Sequence, residues 1–284
     1  MPSFFLQFIR HYLLSLQFFT RIPVTGRLAD WVGFSPAMLR ASAGHFPGVG
    51  LLVGSVLALF TAGLLALLPP TDSAPLVAAA LGTALGVLLT GAFHEDGLAD
   101  VADGLGGSAD RERALGIMKD SRVGAFGAIA VMLMLLCKVT LLALLGDVSG
   151  PLMAAALLVA HVVSRTWPLL TIRWLPHVGD VAGSKSKPLA DQISGAALRT
   201  GLIWCVLALA LTVAVQVTTG FIAINMTDAG LLQALLNALM ASLVAWAVMA
   251  RWFWRRLGGF TGDCLGATQQ VCEVAFYLGL GLSL

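Results

Sequence analysis

Residues 124–145 read GAFGAIAVMLMLLCKVTLLALL, and Lys138 is the single charged residue in this stretch. A helix needs about 20 apolar residues to cross the hydrocarbon core of a bilayer. Only helices and closed barrels satisfy every backbone hydrogen-bonding group there, and a continuous apolar run of this length favours the helix over an alternating strand. The stretch therefore predicts a transmembrane helix.

The rest of the chain has the same character. Of its 284 residues 58% are hydrophobic and only 11% are charged, whereas about a quarter of the residues of a soluble domain are charged. Six further candidate spans cover residues 45–68, 75–93, 151–170, 199–222, 230–250 and 266–284. We expect a single all-α, polytopic membrane domain over residues 1–284 with about seven transmembrane helices. The apolar N-terminal segment, interrupted by Arg10 and His11, predicts an additional helix at the membrane interface.

Basic residues are distributed unevenly between the two sides of this predicted membrane protein. All Lys and Arg residues except Lys138 and Arg165 fall in residues 1–44, 94–123, 171–199 and 251–265, and the alternate loops contain none. The positive-inside rule makes that side cytoplasmic and predicts a multi-pass protein of the cell inner membrane, with its N-terminus inside and its C-terminus outside. The net charge of only +2 argues against nucleic acid as a partner, which leaves the lipid bilayer.

Four ionisable residues lie inside predicted spans: Lys138, His161, Arg165 and Glu273. A charge in the middle of a membrane helix costs about 2.5–3.5 kcal/mol on insertion scales. Such residues therefore pair between helices or face a polar cavity. The sequence leaves open whether all four pair or whether Arg165 lines an active cleft.

The run His94–Gly104, HEDGLADVADG, follows the second candidate span. In a helix, Asp96, Asp100 and Asp103 occupy positions i, i+4 and i+7 and share one face, while Glu95 points elsewhere. Like charges at this spacing repel one another. A hard divalent cation would relieve the repulsion, and Mg²⁺ binds carboxylate and phosphate oxygens together. We therefore predict a magnesium site on this face.

Two basic residues, Lys119 and Arg122, lie just before the next span, so we expect them on the same membrane surface as the aspartates. Cations beside a carboxylate–metal site are suited to a diphosphate, and arginine can make bidentate contacts with it. They would also serve as ordinary positive-inside anchors. Asp120 between them is either a further metal ligand or their salt-bridge partner.

Glycines mark places where a group could approach the backbone closely. Gly97 and Gly104 allow either a substrate or a neighbouring helix to come near. The segment RRLGGFTGD, residues 255–263, contains Gly259 and leads into the last candidate span. Its backbone N–H groups could hold an anion, and Asp263 could equally cap the helix that follows.

The chain resembles the cobalamin synthase family, the membrane-bound adenosylcobinamide-GDP ribazoletransferases. The resemblance runs nearly from end to end and rests on FTRIPV at 19–24, HEDGLADVADG at 94–104, IMKDSRVGAFG at 117–127, RRLGGFTGDCLGA at 255–267, and Glu273. It implies that adenosylcobinamide-GDP reacts with α-ribazole or its 5′-phosphate. GMP is released, and adenosylcobalamin or its phosphate is formed.

The resemblance also implies roles for individual residues. Mg²⁺ would be held by Asp96, Asp100 and Asp103, with Asp120 as a further candidate. Lys119, Arg122 and Arg256 would stabilise charge on the departing GMP, and the base would be His94 or one of the aspartates. Substrate-binding candidates are Arg21, Gly97, Gly104, Arg256, Gly259 and Asp263.

Two other functions are compatible with parts of the sequence. The DG-x-x-A run with clustered aspartates is similar to that of CDP-alcohol phosphotransferases, although Asp100 stands where that family usually has arginine. A cation-coupled transporter is the non-enzyme alternative. Transporters usually place their binding groups near the bilayer midplane, often within inverted repeats, and no repeat is visible here. The sequence leaves homo-oligomerisation open.

Overall fold

The computed structural model describes residues 4–179, 192–220 and 227–284, and its regular elements in these ranges are all helices. The helices are α1 Phe4–Phe19, α2 Gly26–Val32, α3 Pro36–Ser42, α4 Phe46–Leu67, α5 Ala74–Thr90, α6 Phe93–Gly107, α7 Arg111–Met118, α8 Ala125–Val148, α9 Gly150–Trp174, α10 Gly195–Thr219, α11 Asp228–Leu257 and α12 Gly262–Gly281. The predicted all-α class is therefore confirmed.

Five helical segments in the described part of the chain are long and apolar enough to cross a membrane. They are Pro36–Leu67, Ala125–Val148, Gly150–Trp174, Gly195–Thr218 and Ala229–Leu257. A sixth is obtained if α5 and α6 are counted as one broken span. Several apolar helices of this length indicate a multi-pass membrane protein, as the composition predicted.

The last candidate span corresponds to α12, which does not pass the same test of length and hydropathy. Its polar residues Gln269, Gln270 and Glu273 are all buried, because α12 packs against α6, α8, α9 and α11. At its far end, Ser283 accepts a hydrogen bond of 3.0 Å from the Asn237 side chain of α11. The 20 residues of α12 thus run antiparallel to α11 through the interior of the bundle.

The chain changes direction sharply between α5 and α6. Gly91 and Ala92 both have positive φ, 66° and 58°, and the axes of the two helices differ by 89°. A left-handed conformation is costly for alanine, so this bend is specified by the surrounding packing. As a result α6 leaves the direction of the span and lies across one end of the bundle.

Charged residues inside the spans form one buried network around Glu273 of α12. Lys138 Nζ of α8 lies 2.6 Å from Glu273 Oε1, and the hydroxyl of Tyr277 donates to the same oxygen at 2.9 Å. Gln269 Nε2 donates to Glu273 Oε2 at 2.7 Å. These contacts satisfy both carboxylate oxygens without solvent.

Arg165 belongs to the same buried region, where it pairs along α9. Its NH1 group lies 2.7 Å from His161 Nδ1 and donates to the His161 carbonyl at 3.0 Å. His161 Nε2 in turn lies 3.4 Å from Glu273 Oε1. The structure therefore supports pairing between the four ionisable residues in the spans, and it places Arg165 inside the bundle.

We expect Lys138→Met to lower the free energy of unfolding by about 3–5 kcal/mol, because it leaves the Glu273 carboxylate buried without its cation. The double variant Lys138→Met/Glu273→Gln removes the uncompensated charge and should recover part of this loss. Thermal unfolding of the purified protein in detergent measures both. Equal midpoints for the wild-type protein and Lys138→Met would contradict the account.

Candidate functional site

Helix α6 carries the acidic run, and it presents two different faces. Asp96 is exposed and Asp100 is half-buried, whereas Glu95 is buried and accepts a hydrogen bond of 3.0 Å from Gln270 Nε2. The predicted helix and the separate direction of Glu95 are thus both observed. The face that carries Glu95 packs against α12, and the other face presents the carboxylates of Asp96 and Asp100.

Asp103, the third predicted metal ligand, is engaged by the backbone of the next long helix. Its two carboxylate oxygens accept hydrogen bonds from the amides of Gly124, at 2.7 Å, and Gly127, at 2.8 Å. A Cβ atom at Gly124 would lie 2.5 Å from Asp103 Oδ1, so the glycine makes room for the carboxylate. A carboxylate at a helix N-terminus also interacts favourably with the helix dipole. Asp103 thereby fastens α6 to the start of α8.

Asp100 lies among other carboxylates. Burial and, next, the negative charges of Asp263, Asp96 and Asp103 raise the pKa of the Asp100 carboxyl to about 7. The negative charges disfavour ionisation because like charges repel. The sequence pattern predicted that Asp96, Asp100 and Asp103 would come together, but it did not predict that Asp263 would join them.

Asp263 reaches this cluster because α12 begins directly beside α6. A Cβ atom at Gly97 would lie 2.8 Å from the Asp263 carbonyl oxygen, so the two backbones are in close contact. The N-cap of α12 is Thr261, whose hydroxyl accepts from the Cys264 amide, so the expectation that Asp263 might be the cap is wrong. The Asp263 side chain instead accepts a hydrogen bond of 3.2 Å from Thr261 Oγ1.

Gly97 and Gly104 both serve helix packing. A Cβ atom at Gly104 would lie 2.9 Å from the Ala114 carbonyl oxygen of α7. Of the two partners that the sequence allowed at these glycines, the structure shows the neighbouring helix. Their contact with a substrate stays a prediction.

The segment after α7 exposes the predicted cations. Lys119 and Arg122 are both exposed, and Arg122 Nε donates to Asp120 Oδ1 and Oδ2 at 3.0 Å. The hydrogen bonds from Arg122 hold the pKa of the Asp120 carboxyl at about 2. Asp120 is thus the salt-bridge partner of Arg122 in this structure, and its role as a metal ligand stays a prediction.

The remaining substrate-binding candidates lie at the same end of the bundle. Arg21 is exposed beside Gly91, and its backbone amide donates to the Leu89 carbonyl at 2.7 Å. Arg256 donates to the Ser108 carbonyl at 2.5 Å and so connects the end of α11 to the end of α6. Gly259 is covered by the segment after α9, since a Cβ atom there would lie 2.6 Å from Val178 Cγ1.

His94, the predicted candidate base, points away from the exposed acidic face. It is 1% exposed, and its ring stacks on Phe46 with centroids 5.6 Å apart and an interplanar angle of 15°. Among the residues that the structure describes, none forms a hydrogen bond with His94 Nε2. A role in proton transfer would require a substrate hydroxyl to enter the apolar cleft between α1, α4 and α12.

The acidic cluster is compatible with Mg²⁺ without forming a closed cage. Within the ranges that the structure describes, no three His, Cys, Asp or Glu side chains are close enough together to hold one metal ion. Mg²⁺ is commonly bound by only one or two carboxylates plus water and substrate phosphates. Asp96 and Asp100, with Asp263 beside them, supply that donor chemistry on an accessible face.

Fold and site define the class: a multi-pass helical membrane protein with a carboxylate cluster at the end of the bundle that carries its basic loops. The family described as Cobalamin-5-phosphate synthase matches residues 11–281. The chain belongs to this family and is an enzyme.

Curated relatives cover almost the whole chain. A protein of Albidiferax ferrireducens named adenosylcobinamide-GDP ribazoletransferase is 82% identical over 98% of this chain and 99% of its own length. Relatives of the same name from Polaromonas naphthalenivorans and Vibrio cholerae are 61% and 40% identical, covering 98% and 94% of this chain and 100% and 91% of their own lengths. No solved structure matches the chain.

We expect Asp103→Ala to destabilise the protein by about 1–3 kcal/mol, because the amides of Gly124 and Gly127 lose their acceptor at a partly buried position. Asp96→Ala, on the exposed face of the same helix, is the matched control and should change stability by less than about 0.5 kcal/mol. Thermal unfolding in detergent separates the two. Equal stability of both variants would show that the Asp103 contacts do not fasten α6 to α8.

Proposed function

We propose that this enzyme joins adenosylcobinamide-GDP to α-ribazole or α-ribazole 5′-phosphate, releasing GMP and forming adenosylcobalamin or its 5′-phosphate. The observation that carries the proposal is the 82% identity, over nearly the whole length of both chains, to a protein named for this transfer. The acidic face of α6, with cations at the same end of the bundle, is the chemistry that a diphosphate substrate requires.

Mg²⁺ is the proposed cofactor, held by Asp96 and Asp100, with Asp263 beside them as a further candidate. When bound, the cation would neutralise charge on the diphosphate and on the departing phosphate. Asp103 contributes by fixing α6 against α8, because both of its oxygens are already engaged by backbone amides.

In the proposed reaction a ribose hydroxyl oxygen of α-ribazole, one that is also free in α-ribazole 5′-phosphate, attacks the phosphorus that bears the cobinamide arm. A new P–O bond forms, the P–O bond to GMP breaks in line with it, and GMP leaves with the bonding electron pair. The hydroxyl proton passes to a base, for which the candidates are His94 and an aspartate that does not hold the cation. The exposed guanidinium of Arg122 and the ammonium of Lys119 stabilise charge on the leaving phosphate.

The proposed location is the cell inner membrane, with the acidic face of α6 towards the cytoplasm. The support is the positive-inside rule, since the loops at this end of the bundle carry the basic residues. The nucleotide-linked substrate would then bind from the cytoplasm, and the water-soluble GMP would be released into it.

We expect Asp100→Asn to reduce turnover by about 10²–10³-fold or more, because it removes a ligand of the proposed cation, which would stabilise the negative charge that develops on the phosphate. Asp147→Asn is the matched control, since Asp147 is exposed near the C-terminal end of α8, at the opposite end of the bundle. Product formation from adenosylcobinamide-GDP and α-ribazole is followed by chromatography, with membrane yields checked for both variants. Near-normal turnover of Asp100→Asn would remove Asp100 from the reaction.

We also expect activity to be lost with a chelator and restored by Mg²⁺, with a requirement that depends on pH. The pKa of Asp100 is raised, so the carboxyl is protonated below about pH 7 and then competes with the cation. The Mg²⁺ concentration for half-maximal activity should rise about ten-fold from pH 8 to pH 6. Asp263→Asn removes one repelling charge and should move this dependence to lower pH. A requirement independent of pH would argue against Asp100 as the ligand.

A further inference from the structure

A cavity of about 180 Å³ lies away from the acidic face, between α1, the end of α3 and the start of α10. Its walls combine aromatic rings with neutral polar groups, and they include Gln7, Phe8, His11, Ala41, His45 and Thr200. No carboxylate and no Lys or Arg lines the described part of this cavity. The cavity therefore suits a ligand that is largely apolar and carries few hydrogen-bonding groups.

His45 and Phe8 give the cavity a rigid aromatic wall. Their ring centroids are 4.5 Å apart at an interplanar angle of 83°, and His45 is only 3% exposed. Trp204 Nε1 donates to His45 Nδ1 at 3.4 Å, so the neutral imidazole carries its proton on Nε2. Aromatic walls of this kind bind flat rings by stacking and edge-to-face contacts.

The cavity belongs to the same end of the bundle as the acidic helix. His45 directly precedes Phe46, whose ring stacks on His94, and His94 lies two residues before Asp96. A second, apolar cleft is lined by Phe46, His94 and Gly262. A ribonucleoside has a matching elongated shape, because its base and its sugar hydroxyls lie at opposite ends of the molecule.

We propose that this cavity binds the flat bicyclic base of α-ribazole, a benzimidazole with two methyl groups; the proposal rests on the proposed function. The base is apolar apart from its ring nitrogens, as the walls require. Guanine would bury several donors and acceptors that need partners, and burying them unpaired is costly. The corrin ring is several times larger than this base and does not fit a cavity of about 180 Å³.

The test fills the cavity with a single side chain. Ala41→Leu places extra methyl groups in the cavity, whereas Ala37→Leu makes the same change one turn earlier on α3, at an exposed position outside the cavity. Ala41→Leu should raise the KM for α-ribazole ten-fold or more and change the KM for adenosylcobinamide-GDP by less than two-fold. Ala37→Leu should change neither constant by more than two-fold.

Direct binding gives a second measurement that needs no turnover. 5,6-Dimethylbenzimidazole should quench tryptophan fluorescence of the wild-type protein. The quenching should be reduced several-fold in Trp204→Phe, whose indole contacts His45, and at equal probe concentration in Ala41→Leu. Ala37→Leu should be quenched like the wild-type protein.

The outcomes separate this inference from the function on which it rests. If wild-type enzyme forms the product but Ala41→Leu raises both KM values alike or neither, the subsite is refuted and the transfer reaction stands. If wild-type enzyme forms no product from the two substrates and Mg²⁺, the proposed function itself fails. Quenching that is unchanged in Ala41→Leu would also overturn the subsite.

Discussion

A chain of buried hydrogen bonds connects the acidic helix to the middle of the bundle. It runs from Glu95 of α6 through Gln270 and Gln269 to Glu273, which is paired with Lys138 of α8. In a membrane interior, each unpaired polar group costs several kcal/mol. Loss of one hydrogen bond in this series would therefore leave a buried polar group unpaired and destabilise the fold. The direction of Glu95 therefore fixes the rotation of α6 about its own axis.

Once that rotation is fixed, the position of each residue on α6 decides which neighbour it contacts. Gly97 and Gly104 bring α12 and α7 close, and Asp103 receives the amides at the start of α8. Asp96 and Asp100 are the carboxylates that stay on the accessible face. Three aspartates that look equivalent in sequence are thus divided into one structural contact and two groups available for a ligand.

Several features of the site followed from local pattern. The spacing of the acidic run predicted a helix with its aspartates on one side and Glu95 on another, and both are present in α6. The apolar runs predicted the long helices, because a helix of 20 or so residues is set by length and hydropathy. Asp120 was left between two roles, and its contact with Arg122 shows the one that the structure adopts.

Other features depend on packing between distant segments. Asp263 joins the acidic cluster because α12 starts against Gly97, which lies far away in the chain. The sequence offered Asp263 as a possible cap of α12, whereas Thr261 is the N-cap in the structure. The polar residues of α12 made it a weak span by composition, whereas in the bundle they lie in the interior as partners of Glu95, Lys138 and His161.

By itself, the sequence determined the membrane class, the end of the bundle that carries basic residues and the acidic face of α6. These depend on hydropathy, charge and helical period, which act over a few turns of chain. The tertiary structure decided which carboxylates are engaged and which are accessible, and it placed the aromatic cavity beside α1. Those properties depend on contacts such as the hydrogen bond between Glu95 and Gln270. These two residues are 175 positions apart in the sequence and come into contact only when the helices pack.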